Sequence, residues 1–240
     1  MSAPLVLITI GYKNNVTPYA QAVARAGAIP LVAYAGDEGF TVPENVAGVV
    51  LGGGASVEPS RYNAEHDPTI KRSTDVERDD LEFSVLDQVI PRGVPILGIC
   101  RGLQLLNVYH RGSLHQFLGY TDYKGNHRPE EHRAFLAHTV EARAGRLAEL
   151  LGEGEIHVNS IHRQGIDTLG EGLKATVYSP DGLIEGVETD DGSILAVQWH
   201  PEELALTDPP SQRLFSDLVD RARAYSRRQT AEASKQLAAG

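Results

Sequence analysis

The sequence predicts an α/β fold, a doubly wound, mostly parallel sheet with a small antiparallel extension. Three observations predict it. Apolar strand-length runs alternate with helical patterns through the first part of the chain. The only cysteine, Cys100, stands where one apolar run turns directly into a helical one. Beyond residue 136 the apolar runs become short and are separated by turn residues.

Element by element, residues 5–10 are apolar except for Thr9 and read as a first strand, followed by a helix over 18–27 with Gly27 as its stop. Residues 29–33 and 47–51 give two further strands. A helix over 76–90 carries Leu81, Val85, Leu86 and Val89 on one face, and Pro95 to Ile99 form the strand that ends at the cysteine. Short strands are then expected at 138–141, 155–158, 174–178, 184–187 and 194–198, with turns at Pro180-Asp181-Gly182 and Asp190-Asp191-Gly192. A closing helix over 210–227 should pack back on the sheet.

At 240 residues and 41% hydrophobic content the chain is long enough for one sizeable core. Residues 1–229 are therefore expected to form a single domain, and the Ala-rich segment 230–240 a frayed, flexible tail. A lone cysteine excludes an internal disulfide framework, and the opening residues lack a basic segment followed by an apolar run and a cleavage site. Both features point to a reducing cytoplasm. No run approaches the roughly 20 apolar residues of a membrane span.

The formal net charge of -10 argues against nucleic acid as a partner, because its 22 Lys and Arg are scattered rather than gathered in a stripe. The acidity is read as a solubility feature. A homodimer is the default expectation for a soluble protein of this kind.

The cysteine corner is the strongest chemical signal. A residue held on a sharp turn between strand and helix is presented at the carboxyl edge of a sheet and at the positive end of a helix, which favours a thiolate. Gly98 and Gly102 let neighbouring segments approach. The plainer reading of such a residue is a buried apolar thiol. Against it stands Val197-Gln198-Trp199-His200-Pro201-Glu202, where a strand ends in a histidine followed by a carboxylate. In this reading His200 takes and returns the thiol proton, and Glu202 fixes its tautomer.

A third segment, Val49-Val50-Leu51-Gly52-Gly53-Gly54, ends a β-branched strand in three glycines. It carries neither a Gly-Lys-Ser/Thr ending nor a GxGxxG pattern, so a phosphate loop is not indicated. Backbone N–H groups of Gly54 and Arg101 can instead converge on an oxyanion.

Taken in order, Ile99-Cys100-Arg101-Gly102-Leu103-Gln104, Val158-Asn159-Ser160-Ile161-His162-Arg163-Gln164, Ser179-Pro180-Asp181-Gly182-Leu183-Ile184-Glu185 and Val197 to Glu202 resemble class I glutamine amidotransferase-like proteins. More narrowly, they resemble the gamma-glutamyl-gamma-aminobutyrate hydrolase (peptidase C26) family, over about residues 5 to 220. The resemblance implies a flavodoxin-like sheet and cleavage of a gamma-glutamyl amide, with Cys100, His200 and Glu202 matching the catalytic positions and Gly54 and Arg101 the oxyanion hole.

It also implies that Gln104 contacts the glutamyl moiety, with Gly53, Asn159, Ser160, His162 and Glu185 around the substrate. The latter segments can equally be residues that merely shape the loops. Many relatives read Leu-Pro-Gly-Gly-Gly-Asp-Val-Asp-Pro where this chain has Gly52 and Ser56, which loosens the turn and removes an acid from the mouth of the site.

The function expected from these features is a cysteine hydrolase that releases glutamate and a free amine through a glutamyl-thioester, with no cofactor. Three alternatives use the same residues: a glutaminase subunit that supplies ammonia to a separate synthetase, a noncatalytic binder of gamma-glutamyl compounds, and a folate polyglutamate hydrolase. The polar segment 119–137 is either a lid or a passive loop. Within it, the spacing of His127 and His132 invites a metal, but no compact set of three or four ligands accompanies them, and no metal is expected.

Overall fold

A computed structural model of the chain describes residues 2–36, 39–152 and 154–239. The chain runs β1 (Leu5–Ile10), α1 (Thr17–Arg25), β2 (Ile29–Tyr34), β3 (Val46–Leu51), α2 (Val76–Val89), β4 (Ile96–Ile99) and α3 (Arg101–Tyr109). It continues through β5 (Leu114–His115), β6 (Leu136–Ala142), α4 (Gly145–Leu151), β7 (Glu155–Asn159), β8 (Gly165–Ile166) and β9 (Leu173–Tyr178). It closes with β10 (Ile184–Thr189), β11 (Ile194–Val197), α5 (Pro201–Leu204) and α6 (Pro209–Ala239).

Strands β2-β1-β3-β4-β11 pair in parallel, and β10-β9-β6-β7 extend the same sheet in antiparallel fashion. The expected antiparallel extension is thus continuous with the parallel sheet. A separate two-stranded ribbon joins β5 and β8.

Strand alternation sends side chains to two apolar layers. Leu7, Val49, Leu51, Ile96 and Ala196 meet Leu81, Val85 and Leu86 of α2 and Leu103 and Leu106 of α3. Val6, Ile8, Val50, Leu97, Ile99 and Val197 meet Tyr19 and Val23 of α1 and Leu214, Phe215 and Leu218 of α6. Because helices cover both faces, the central strands are apolar at nearly every position, Thr9 of β1 excepted, rather than alternating. That is why they were legible as continuous apolar runs.

The register of three strands positions the site. β4 pairs with β3 on one side and β11 on the other, with Gly98 opposite both Leu51 and Ala196, and Ile99 opposite Val197. The chains that leave β3, β4 and β11 therefore emerge side by side at the carboxyl edge, where α/β sheets place ligands.

Several elements were not legible. The two-residue strands β5 and β8 and the short helices α4 and α5 are too brief to carry a periodicity. The last helix, expected to end at 227, continues to Ala239, so the expected tail is helical as far as it is described. From Arg227 to Lys235 its side chains are exposed, and they gave no apolar stripe to extend the reading. No described helix is both long and apolar enough to cross a membrane.

Gly102 opens the helix after the cysteine under tight constraint, since a Cβ there would lie 2.2 Å from the Leu51 carbonyl oxygen. A helical Gly→Ala change ordinarily stabilises by about 1 kcal/mol. Gly102→Ala is expected to do the opposite and lower stability by roughly 2 kcal/mol or more, measured by urea unfolding.

Candidate active site

Cys100 joins β4 to α3 with φ 53° and ψ -100°, a left-handed backbone conformation that a residue with a side chain rarely adopts. Its N–H still donates to the Val197 carbonyl at 2.8 Å, so Cys100 is tied to β11 before the chain turns. The turn is crowded from below, where a Cβ on Gly98 would lie 2.7 Å from Leu106 and 2.9 Å from Ala196. The thiol is largely buried, yet it lines a cavity of about 200 Å³ with Gly54, Ser56, Gln104 and Arg128.

His200 follows β11 and lines an adjoining cavity that also contains Cys100. Its Nδ1–H donates to Glu202 Oε1 at 2.6 Å, which leaves Nε2 as the free ring nitrogen. That Nε2 is buried with no hydrogen-bond partner among the described residues. Burial would lower the imidazole pKa, but the charge of Glu202, and after it the Cys100 sulfur, outweigh burial and raise it to about 10. The carboxylate thus does two things, selecting the tautomer and stabilising the imidazolium.

The backbone beneath His200 is clamped by Asn159. Its side-chain amide donates to the His200 carbonyl at 3.0 Å and accepts from the His200 N–H at 3.1 Å, with a further bond to the Arg133 carbonyl at 2.8 Å. Asn159, expected among the substrate contacts, has its side-chain amide engaged with the His200 and Arg133 backbone.

Gly53, also expected near the substrate, packs against Tyr19 and His200. Its N–H donates to the Tyr19 hydroxyl at 2.9 Å, and a Cβ there would stand 2.5 Å from His200 Cε1. Its contribution is the space the imidazole occupies rather than a bond to substrate. Tyr19 was not singled out in the sequence, where it reads only as an apolar helix position. Burial, then the Glu202 charge, push its phenol well above the usual range.

The glycine turn is held from beneath by another residue the sequence did not reveal. Arg78 donates from Nη2 to the Gly52 carbonyl at 2.6 Å, from Nη1 to the Gly53 carbonyl at 2.8 Å and from Nε to Glu82 Oε1 at 2.9 Å. The Arg101 guanidinium pairs with Glu82 and Asp79. All four side chains are fully buried, and Thr9 adds a bond to Glu82 at 2.7 Å. Burial would raise the Glu82 carboxyl, but Arg101 and then Arg78 hold it low. Arg101 thus fulfils two roles, its side chain locking the turn while its backbone N–H opens α3 beside Cys100.

The other predicted positions divide. Gln104 lines the Cys100 cavity, its amide donating to the Gln164 carbonyl at 3.0 Å and to Gln198 Oε1 at 3.1 Å. Ser160 donates to the His127 carbonyl at 2.7 Å and so supports the polar loop. His162 borders the cavity with one edge but turns its ring toward Glu185, which is fully buried behind the wall. The loop at 119–137 contributes Arg128, Pro129 and Arg133 to the cavity lining. His132 is exposed and lies apart from His127.

A sequence model of the Peptidase C26 family matches residues 6–202. The chain belongs to the Peptidase C26 family. Among curated relatives, the Schizosaccharomyces pombe protein PB2B2.05, provisionally named a glutamine amidotransferase, is 45% identical over 93% of this chain and 88% of its own. The gamma-glutamyl-gamma-aminobutyrate hydrolase PuuD of Escherichia coli K12 is 34% identical over 84% and 83% of the two chains.

A glutamine amidotransferase from Thermotoga maritima superposes with a TM-score of 0.60 at 18% identity over 94% of each chain, a likeness of fold alone. Membership in Peptidase C26 supports a function of hydrolase or amidotransferase type for this chain.

The raised His200 pKa has a sign. A ring that titrates near 10 when folded and near 6.5 when unfolded contributes stability that is full below about 6.5 and is lost as pH rises through about 10. Replacing Glu202 by Gln removes the charge that opposes burial. The ring nitrogen NMR signals of His200 are expected to titrate at distinctly lower pH in Glu202→Gln, and its unfolding free energy to vary less between those limits than that of the unmodified chain.

Proposed function

We propose that the chain is a cysteine hydrolase that cleaves gamma-glutamyl amides of small amines through a glutamyl-thioester. The observation that carries this reading is the shared edge of β3, β4 and β11. It gathers a thiol on a strained turn, an imidazole already bonded to a carboxylate, and a glycine loop around one cavity.

The Cys100 sulfur attacks the gamma-carbonyl with its proton resting on His200, whose raised pKa favours the imidazolium, and the carbonyl electron pair moves to oxygen. The N–H groups of Gly54 and Arg101, neither of which donates elsewhere among the described residues, receive that oxyanion. Each such donor supplies roughly 3 kcal/mol in the transition state. The imidazolium then protonates the amine as the C–N bond breaks, and water, deprotonated by the same imidazole, hydrolyses the thioester to glutamate.

The cavity wall narrows the amine. Lys71, Arg72, Arg128 and Arg163 line the smaller of the two cavities at Cys100 with no acidic side chain among its lining residues, whereas Asp75 and Glu77 line the adjoining one. Among the described residues Lys71, Arg128 and Arg163 have no ion-pair partner, whereas Arg72 is taken by Glu58. Ser56, where many relatives carry an acid, lies on the same wall. Unpaired cations in a confined site favour carboxylates. One is the α-carboxylate of the glutamyl half, and a second belongs to the leaving amine, as in the conjugate that names PuuD. In that smaller cavity a polyamine conjugate would place its charge against the wrong sign.

The name of the fission-yeast relative favours a second reading, a glutaminase that passes ammonia to a synthetase. It uses the same residues. The intact His200–Glu202 pair and the accessible cysteine leave little for a noncatalytic binder to explain.

Glutamate release from a panel of gamma-glutamyl amides separates these readings. The hydrolase is expected to prefer acidic amines over glutamine and polyamine conjugates without any partner. A strong rise in glutamine turnover on adding a synthetase would favour the amidotransferase. Cys100→Ala is expected to lose at least about a thousandfold in turnover while keeping its circular dichroism, and full activity in that variant would overturn the mechanism. Arg128→Ala is expected to raise KM for acidic-amine conjugates by roughly tenfold, with little change for glutamine.

A further inference from the structure

Four side chains from separate segments meet behind the wall of the candidate site: His127 from the 119–137 loop, His138 from β6, His162 from the β7–β8 connection and Glu185 from β10. One ligand atom from each lies within 4.8 Å of all the others. The sequence offered His127 with His132, a pair with no companions. Folding separates those two and supplies His127 with three partners that no local spacing connects.

The hydrogen-bond pattern around this cluster is specific. Each ring has one nitrogen committed outward, His127 Nε2 to Asp181 Oδ2 at 3.0 Å, His138 Nδ1 to the Thr139 carbonyl at 3.0 Å and His162 Nδ1 to the Gln164 carbonyl at 2.8 Å. Carbonyl and carboxylate oxygens only accept, so those nitrogens carry the protons. The opposite nitrogen of each ring, where it carries no second proton, presents a lone pair. These nitrogens face Glu185 Oε1 at 3.2 Å from His127, 3.6 Å from His138 and 3.5 Å from His162. These three nitrogens and both Glu185 oxygens are buried with no hydrogen-bond partner among the described residues.

Acceptors thus converge on acceptors in a site closed to solvent, an arrangement that demands positive charge at its centre. We propose that this centre is a structural zinc site with His127, His138, His162 and Glu185 as its ligands. Tetrahedral zinc with bonds of about 2.0–2.1 Å holds its ligands about 3.3 Å apart, close to the separations from Glu185 Oε1.

The outward bonds are the second shell that zinc histidines require, one to a carboxylate and two to backbone carbonyls, which fix tautomer and ring orientation. Asp181 is itself held by the Gly125 N–H at 2.6 Å and the Ser179 hydroxyl at 2.5 Å. Four protein ligands in a buried site leave no open position, which marks a structural rather than a catalytic ion. Its effect would be to pin the polar loop to the sheet next to Arg128, one residue beyond His127. This inference stands apart from the hydrolase reading, since it concerns none of Cys100, His200 or Glu202.

The test uses the full chain, produced in zinc-supplemented medium and purified without chelator. Elemental analysis is expected to find about one zinc per chain, and cobalt exchanged for it to show the intense visible absorption of tetrahedral coordination. Chelation is expected to lower the melting midpoint by roughly 5 °C, with recovery on adding zinc. His138→Ala and Glu185→Gln should bring metal content to background, whereas His132→Ala should leave it unchanged.

A wild-type chain that holds no stoichiometric zinc and shows no zinc-dependent melting would overturn the proposal, leaving protons as the charge in the cluster. So would six-coordinate cobalt, or metal retained in both ligand variants. Should the variants fail to fold, the metal content and cobalt spectrum of the unmodified chain still decide.

Discussion

Two guanidinium groups, those of Arg78 and Arg101, lie fully buried against the carboxylates of Asp79 and Glu82, and the geometry of the candidate site depends on this closed set of charges. Arg78 fixes the carbonyls of Gly52 and Gly53, while Arg101 begins the helix after Cys100. Glu82 touches both cations and so couples the glycine loop to the turn at Cys100. Removing one member of such a set leaves an uncompensated buried charge, a loss of about 3–5 kcal/mol. The two segments offered as the oxyanion hole are consequently held relative to one another by ionic contacts, with little freedom to drift.

That rigidity is what allows Cys100 its backbone conformation. A non-glycine residue in a sparsely populated region costs about 1–3 kcal/mol, and it persists only where its surroundings over-determine it. Here the bond from Cys100 to Val197 fixes one side, the buried charges fix the other, and Gly98 and Gly102 remove the side chains that would collide. The same economy of space operates at Gly53, whose missing side chain is the volume filled by the His200 ring. Stability is spent locally so that Cys100, His200 and Gly54 line one cavity, and a fixed arrangement of this kind is what the proposed oxyanion stabilisation would require.

Charge is distributed unevenly on two scales. The chain as a whole carries a formal net charge of -10, yet the wall around Cys100 is cationic, with three of its basic groups unpaired among the described residues. An acidic exterior around a cationic pocket draws a small anion inward only at short range, because screening confines the pocket's field to about 8 Å at physiological ionic strength. Behind that wall the sign reverses again at Glu185, where three histidines surround a buried carboxylate. The loop that carries His127 and Arg128 belongs to both environments, so whatever occupies the histidine cluster also sets how firmly the cationic wall is presented.

Much of this was determined by the sequence alone. Central strands covered on both faces read as unbroken apolar runs, and the corner at Cys100, the His200-Pro201-Glu202 strand end and the three glycines after β3 are local patterns whose chemistry is written in adjacent residues. The tertiary structure decided the rest, because those features depend on partners distant in the chain. Arg78, Asp79 and Glu82 look like the solvated face of an amphipathic helix until α2 is laid over β3. Tyr19 looks like core until its hydroxyl meets Gly53, and Asn159 resembles a pocket residue until its amide is seen on the His200 backbone. His127 acquires its companions only when β6, β10 and the β7–β8 connection converge. A sequence specifies contacts within a turn or a strand directly; contacts between segments a hundred residues apart exist only once the sheet order and register have closed.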